Sequence, residues 1–109
     1  MIEFKKHKDV PKYFTGVCKL KCNNYIYHMK DGKLHNEHGP AVICKNGTKF
    51  WYINGLAHRE DGPSTEYING GKTWYYKDVD YGSNAKFTNE SWKEKVEELK
   101  REEELKIFI

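Results

Sequence analysis

Apolar and polar positions alternate in short runs through the middle of the chain, and glycine-containing pairs interrupt them at intervals. Residues 25–30, 41–44, 49–53, 64–68 and 73–77 are rich in the aromatic and β-branched types that fit a pleated, half-buried surface. Among and between these runs stand Asp31-Gly32, Asn46-Gly47, Asn54-Gly55, Asp61-Gly62 and Asn69-Gly70. Such pairs tolerate positive φ and turn a chain back on itself. The pattern predicts a mainly β fold, an antiparallel meander with a weaker first strand over 17–21. Tight turns are expected at Asn46-Gly47 and Asn69-Gly70, and longer loops over 32–40 and 55–63, where few residues favour strands. Along one strand Trp51 and Ile53 share a face, while Phe50 and Tyr52 share the other; Trp74 with Tyr76, and Tyr75, repeat this arrangement. Both faces therefore carry aromatic rings. One must be covered, or it remains as a binding surface.

The period changes near the end of the chain. Trp92, Val96 and Leu99 fall at i, i+4 and i+7 and predict one apolar stripe on a helix over 88–105. Thr88 is the expected N-cap, and Ser91 with Glu94 offers a second capping box. Lys93–Glu97 and Glu97–Arg101 are expected to pair on the outer face. The stripe is too narrow for a coiled-coil partner, so docking on the sheet is its simplest use. Leu105, Ile107, Phe108 and Ile109 are open to three roles: an extra strand, a plug for the core, or an oligomer contact.

Above the strand pattern lies a period of 23 residues that runs without a gap. Gly39-Pro40 returns as Gly62-Pro63, Asn46-Gly47 as Asn69-Gly70, His35 as His58, Glu37 as Glu60, and Trp51-Tyr52 as Trp74-Tyr75. Gly16 and Asn23 form a fainter upstream copy. A fixed period of this size indicates units that bury their apolar faces against their neighbours. Asp78 stands where the third unit should have glycine and Tyr81 where it should have histidine, so the pattern is expected to decay before the helix.

The 109 residues suit one domain, with the sheet over 14–80. Hydrophobic content is 38% and mean hydropathy is −0.92, yet aromatic content reaches 15%, and large rings bury much area per residue. No stretch has the length and apolarity of a membrane span, and no apolar segment follows the lysines of the first ten residues. Three cysteines, an odd number, point to reduced thiols in a cytoplasm. Residues 1–35 carry eight lysines against three acids; residues 88–109 carry five bases against seven. The basic front suits a solvated face or an anionic partner.

Candidate chemistry is sparse. Cys18, Cys22, His35 and His38 imitate a Cys2His2 zinc set, but the two-residue gap between the histidines is too short, and His35 is already explained by its recurrence as His58. Nothing in the sequence positions Cys44 against a histidine base. No catalytic constellation, metal site or cofactor is expected. The loops over 34–40 and 56–63 should lie on one edge of the sheet and present His35, Asn36, Glu37, His58, Arg59, Glu60 and Asp61 together. Those groups serve either to hydrogen-bond loop backbones and staple one unit to the next, or to bind a partner. Trp51, Trp74 and Tyr76, with Tyr52 and Tyr75, either pack in the core or stack bases, with Lys49, Lys72 and Arg59 touching phosphate.

The run Trp51-Tyr52-Ile53-Asn54-Gly55, followed by His58-Arg59-Glu60-Asp61-Gly62-Pro63, resembles a MORN-like repeat variant of small uncharacterised proteins from bacteriophages and large DNA viruses. The opening Pro11-Lys12-Tyr13-Phe14-Thr15-Gly16 and the closing Phe87-Thr88-Asn89-Glu90-Ser91-Trp92 resemble the ends of such proteins. The first unit departs from the fuller motif, reading His35-Asn36-Glu37-His38. The resemblance implies a binding scaffold. Its leading expectation is a small phage protein acting in the host cytoplasm, which binds and inhibits a host defence protein. The alternatives are capture of a nucleotide-type signalling ligand and binding of single-stranded nucleic acid. A homodimer is also expected to be accessible, through the apolar tail or an edge at 17–21 guarded only by Lys19 and Lys21.

Overall fold

The computed structural model describes residues 1–107. In chain order its elements are β1 (Ile2–Phe4), β2 (Gly16–Leu20), β3 (Ile26–Lys30), β4 (Lys33–Leu34), β5 (Val42–Ile43), β6 (Lys49–Phe50), β7 (Tyr52–Ile53), β8 (Leu56–Ala57), β9 (Thr65–Glu66), β10 (Lys72–Tyr76), β11 (Val79–Ser83) and α1 (Asn89–Ile107). The main sheet has nine strands, ordered β1-β2-β3-β5-β6-β9-β10-β11, with β4 also paired to β3; β7 and β8 form a separate hairpin. Neighbours along the main sheet run antiparallel except β1 and β2, which are parallel. The fold is mainly β, with meander-like antiparallel neighbours and one C-terminal helix.

Hydrogen bonds recur at the spacing of the sequence pattern. At three turns an asparagine side chain accepts the amide two residues on: Asn23 from Tyr25, Asn46 from Thr48 and Asn69 from Gly71, each at 2.9 Å. This Asx geometry fixes the turn locally and explains why asparagine keeps that position. A second family of turns joins β3 to β4, β7 to β8 and β10 to β11, with positive φ at both central residues: Asp31-Gly32, Asn54-Gly55 and Lys77-Asp78. The third turn thus forms without glycine, at φ 47° and 70°. Here the sequence pattern decays and the backbone does not.

Each of these turns is tied to the preceding segment. The Gly55 N–H donates to the Leu34 carbonyl and the Asp78 N–H to the Ala57 carbonyl, both at 2.8 Å, and the Gly32 N–H donates to the Phe14 carbonyl at 2.9 Å. Side-chain acceptors complete the tie. Asn54 N–H donates to His35 Nδ1 at 2.9 Å, Lys77 N–H to His58 Nδ1 at 3.0 Å, and Asp31 N–H to Thr15 Oγ1 at 2.9 Å.

Two apolar clusters lie on opposite faces. Strand register places Cys18, Tyr27, Val42, Phe50, Thr65 and Thr73 in line on one face. Cys18, Leu20, Tyr27, Val42 and Cys44 are buried there, with Phe4, Val10 and Phe14 of the N-terminal segment packed against them. Trp74 and Tyr76 alternate with Thr73 and so point the other way, where Trp92, Val96 and Leu99 of α1 cover them. Trp74 and Trp92 are 1% and 0% exposed, with ring centroids 5.6 Å apart. The expected helix stripe docks as one face. Thr88 caps α1 by accepting the Ser91 N–H at 3.0 Å, and Ser91 Oγ returns the bond to the Thr88 N–H at 2.9 Å. The box therefore closes one turn earlier than the Ser91–Glu94 alternative.

Several expectations need correction. Strand 17–21 is not the sheet edge, because β1 pairs along it from Ile2↔Cys18 to Phe4↔Leu20; three residues followed by Lys5-Lys6 are too few to show a period. The run 49–53 is split at Trp51, whose backbone bonds to Ser64 and His58 while β7 leaves the main sheet. The segments 32–40 and 55–63 open as β4 and β8 rather than as loops, because their Asp-Gly and Asn-Gly pairs make hairpin turns. β11 follows a turn that lacks glycine, and its strand gave no signal. The expected Lys93–Glu97 pair is replaced by Lys93–Glu90 at 3.9 Å, and Lys95–Glu98 forms at 3.5 Å. Helix α1 runs on to Ile107 with Leu105 65% exposed, which removes the strand and plug roles for Leu105; Phe108 and Ile109 lie outside the described residues.

Two glycines test the turn geometry. At Gly70, φ is 90° and an added Cβ meets nothing within 4 Å, so Gly70→Ala should cost only the backbone strain, about 1–2 kcal/mol. At Gly32, φ is 78° and a Cβ would lie 1.9 Å from the Lys12 carbonyl oxygen, so Gly32→Ala should cost about 4 kcal/mol or more. Urea denaturation of the two variants measures the difference. Equal losses would show that the N-terminal segment does not press on this turn.

Candidate functional site

The segments following β4 and β8 run side by side and enclose a cleft of about 700 Å³, lined by Asn36, Glu37, His38, Gly39, Pro40, Trp51, Ile53, His58, Arg59, Glu60 and Asp61. Its walls are built from the recurring Gly-Pro and histidine positions. Asn36 Nδ2 donates to the Pro40 carbonyl, and one unit later Arg59 Nη1 donates to the Pro63 carbonyl, both at 3.1 Å. Gly62 makes room for this bond: a Cβ there would lie 2.8 Å from Arg59 Cζ. The recurring proline thus has a local role in both copies, its carbonyl accepting the donor four residues earlier. The steric need for glycine is specific to Gly62, since a Cβ at Gly39 would lie an ordinary 3.5 Å from Asn36 Nδ2.

Arg59 is the most committed residue of the cleft. Its guanidinium lies 4.0 Å from the centroid of the Trp51 ring, its Nε donates to Asp61 Oδ1 at 2.9 Å, and its Nη1 donates to Glu66 Oε1 at 2.9 Å. Stacking on an indole and pairing with two carboxylates through Nε and Nη1 suits the planar guanidinium. Its backbone carbonyl also accepts the Trp92 indole N–H at 2.7 Å, which ties α1 to the cleft wall.

His58, in the wall, and His35, behind it, hold the cleft in place. Because His58 Nδ1 accepts the Lys77 amide, its ring proton belongs on Nε2, which faces Glu60 Oε2 at 3.0 Å. His35 repeats this with the Asn54 amide and Glu37 Oε1, at 2.9 and 3.4 Å. Glu60 also receives Lys100 Nζ of α1 at 2.6 Å. Burial pushes the Glu60 carboxyl up, but hydrogen bonds from Lys100 and His58 outweigh it and hold the pKa below the usual carboxylate value.

Of the residues singled out from the sequence, Asn36, Trp51, His58, Arg59, Glu60 and Asp61 converge on the cleft. His35 lies behind it as a staple. Trp74 and Tyr76 do not reach it: they are 1% and 5% exposed beneath α1, which withdraws them from any binding surface. There burial and the Glu103 carboxylate push the Tyr76 phenol up to about 12. Glu66, Lys100 and Trp92 complete the surroundings and were not anticipated. Alternation places Glu66 with Lys49 and Lys72 across the sheet, but no local signal shows which helix residues meet a distant loop.

Among the described residues no group of three His, Cys, Asp or Glu side chains converges on a point where a metal ion would fit. Cys18 and Cys44 are buried and Cys22 is exposed, all three as free thiols. Among the described residues no helix is long and apolar enough to cross a membrane.

Two pH responses follow. Because the Glu60 pKa is depressed, its contribution is present above the ordinary carboxylate pKa and lost as pH falls through the depressed value. Lys100→Met should therefore flatten the acid side of the stability profile, as read from urea midpoints between about pH 2 and pH 7; parallel profiles would remove this linkage. Tyr76 has a raised pKa, so its contribution is present below the unfolded value of 10.0 and fades as pH climbs toward about 12. The phenols of Tyr25, Tyr27 and Tyr52 are also raised. Ultraviolet titration should therefore show that Tyr76→Phe removes the phenol titrating near about pH 12 and leaves the others, and a phenol still titrating there in the variant would reassign it.

Comparison with protein-family models, curated proteins and solved structures returns no match to this chain.

Proposed function

We propose that this chain is a non-enzymatic binding module that engages a partner protein through the cleft between the 35–40 and 58–63 segments. The observation that carries this reading is the construction of the cleft. Backbone staples, the Arg59–Trp51 stack and two contacts from α1 hold its walls, while the Glu37 and Asp61 side chains remain 63% and 71% exposed. A surface fixed before its partner arrives loses little freedom on binding, which favours affinity.

The resemblance noted in the sequence supplies the setting: a small phage protein in the host cytoplasm that binds and inhibits a host defence protein. The nucleotide and nucleic-acid readings have less support. Both need a free cation beside an open aromatic ring, and Arg59 is already shared among Asp61, Glu66 and the Pro63 carbonyl while Trp74 lies under α1.

The test is capture of partners from host lysate on immobilised protein, followed by reconstitution with the purified partner. The expected outcome is one protein retained at a fixed stoichiometry, whose addition raises the melting temperature of the complex. A reproducible blank across several salt concentrations would count against a protein partner. A thermal shift with nucleotides alone would favour the ligand-capture reading.

A further inference from the structure

We infer that the cleft receives a cationic partner, specifically an extended protein segment that inserts an arginine side chain between Glu37 and Asp61. This rests on the cleft being the binding surface proposed above, and it names the chemistry of the occupant.

Charge is the first argument. Three carboxylates line the cleft, from Glu37, Glu60 and Asp61, against the single guanidinium of Arg59. The next groups outward, Glu66 and Lys100, contribute one charge of each sign and are themselves engaged with Arg59 and Glu60. The cleft therefore holds an excess of two negative charges with the histidines neutral. A phosphate or an acidic peptide would be repelled, and a cation would be drawn in and oriented.

Unused acceptors are the second argument. Asp61 gives one oxygen to Arg59, and Glu37 gives one to His35 at 3.4 Å, while their side chains stay 71% and 63% exposed. Each has a further oxygen to offer. Arginine suits such a pair because its planar fork donates several N–H groups in fixed directions, whereas lysine acts as a point charge.

The third argument is a precedent within the same wall. Arg59 already packs its guanidinium 4.0 Å over the Trp51 ring with carboxylates at 2.9 Å on two sides. The cleft thus displays the environment that a guanidinium selects. Its volume of about 700 Å³ leaves room for an entering side chain and a stretch of backbone, within the range of roughly 300–1,000 Å³ usual for binding clefts.

The experiment uses the full chain labelled with ¹⁵N and titrated with a capped Gly-Arg-Gly peptide, a capped Gly-Glu-Gly peptide, AMP and inorganic phosphate. The arginine peptide should shift the Trp51 indole N–H and the amides of 36–39 and 58–62 saturably. Its Kd should rise about tenfold or more in the Glu37→Gln/Asp61→Asn variant, and also with added salt. No shift at these positions, or shifts there from AMP, phosphate or the acidic peptide, would overturn the inference. Concentration-dependent shifts of the same amides in the protein alone would also overturn it, by making a second copy the occupant. The wild-type titration needs no variant to fold, and thermal melts establish whether the double variant does.

Lysate capture with both proteins separates the two claims. A partner held by the wild type and lost from an equally stable double variant supports both. A partner held equally by both proteins leaves the binding module standing and overturns the arginine site. A blank with both contradicts the binding module, and the peptide titration still decides the chemistry of the cleft.

Discussion

The architecture depends on one recurrent bond: at each of the three turns with two positive-φ central residues, the tip amide is accepted by a side chain from the segment before it. Thr15, His35 and His58 perform this for the turns at Asp31, Asn54 and Lys77. A tip amide has no partner within its own hairpin, and an amide left without one is costly wherever water is excluded. Satisfying it from the preceding segment fixes where each hairpin lies. It also orients the imidazole, whose far nitrogen then meets Glu37 or Glu60. The position of the cleft follows from this, because those glutamates lie in the segments that enclose it.

The repeating part of this arrangement was legible in the sequence because it is made of local contacts. Asn46 and Asn69 act on an amide two residues away, and Gly62-Pro63 acts on a donor four residues before the proline, so each leaves a fixed spelling. The helix stripe was readable for the same reason, since Trp92, Val96 and Leu99 are separated by whole turns. What stayed hidden is non-local or too short to show a period. The parallel partner of β2 is three residues long, β11 follows a turn without glycine, and Thr15 performs the work of a histidine from a position out of phase with the other two. The cleft residues Asn36, Arg59, Glu60 and Asp61 were visible as a group, whereas Trp74 and Tyr76 were not separable from Trp51. All three rings share one face by alternation, and only the placement of α1 decides which are covered.

Helix α1 is more than a lid on its own aromatic cluster. Trp92 packs against Trp74 and also donates its indole N–H to the Arg59 carbonyl, and one face further along Lys100 reaches Glu60. The apolar and polar contacts of the helix therefore act on the same segment from two directions. Packing on Trp74 supplies the non-directional free energy, and the two polar contacts convert it into a defined position for residues 59 and 60. The charged connection Arg59-Glu60-Asp61 is thereby held from two directions, in contrast to the mobility usual for polar connections.

The two covers sit at opposite ends and on opposite sides of the sheet, the N-terminal segment over Cys18 and Tyr27 and the helix over Trp74 and Tyr76. Neither touches both termini of the array, so neither measures its length. A duplication of 23 residues placed in the middle would slide the covers apart without asking either to change its contacts, and would add one more histidine-held hairpin to the row. Growth of this kind makes the wall of carboxylates longer in whole-unit steps while folding at each end is left as it was.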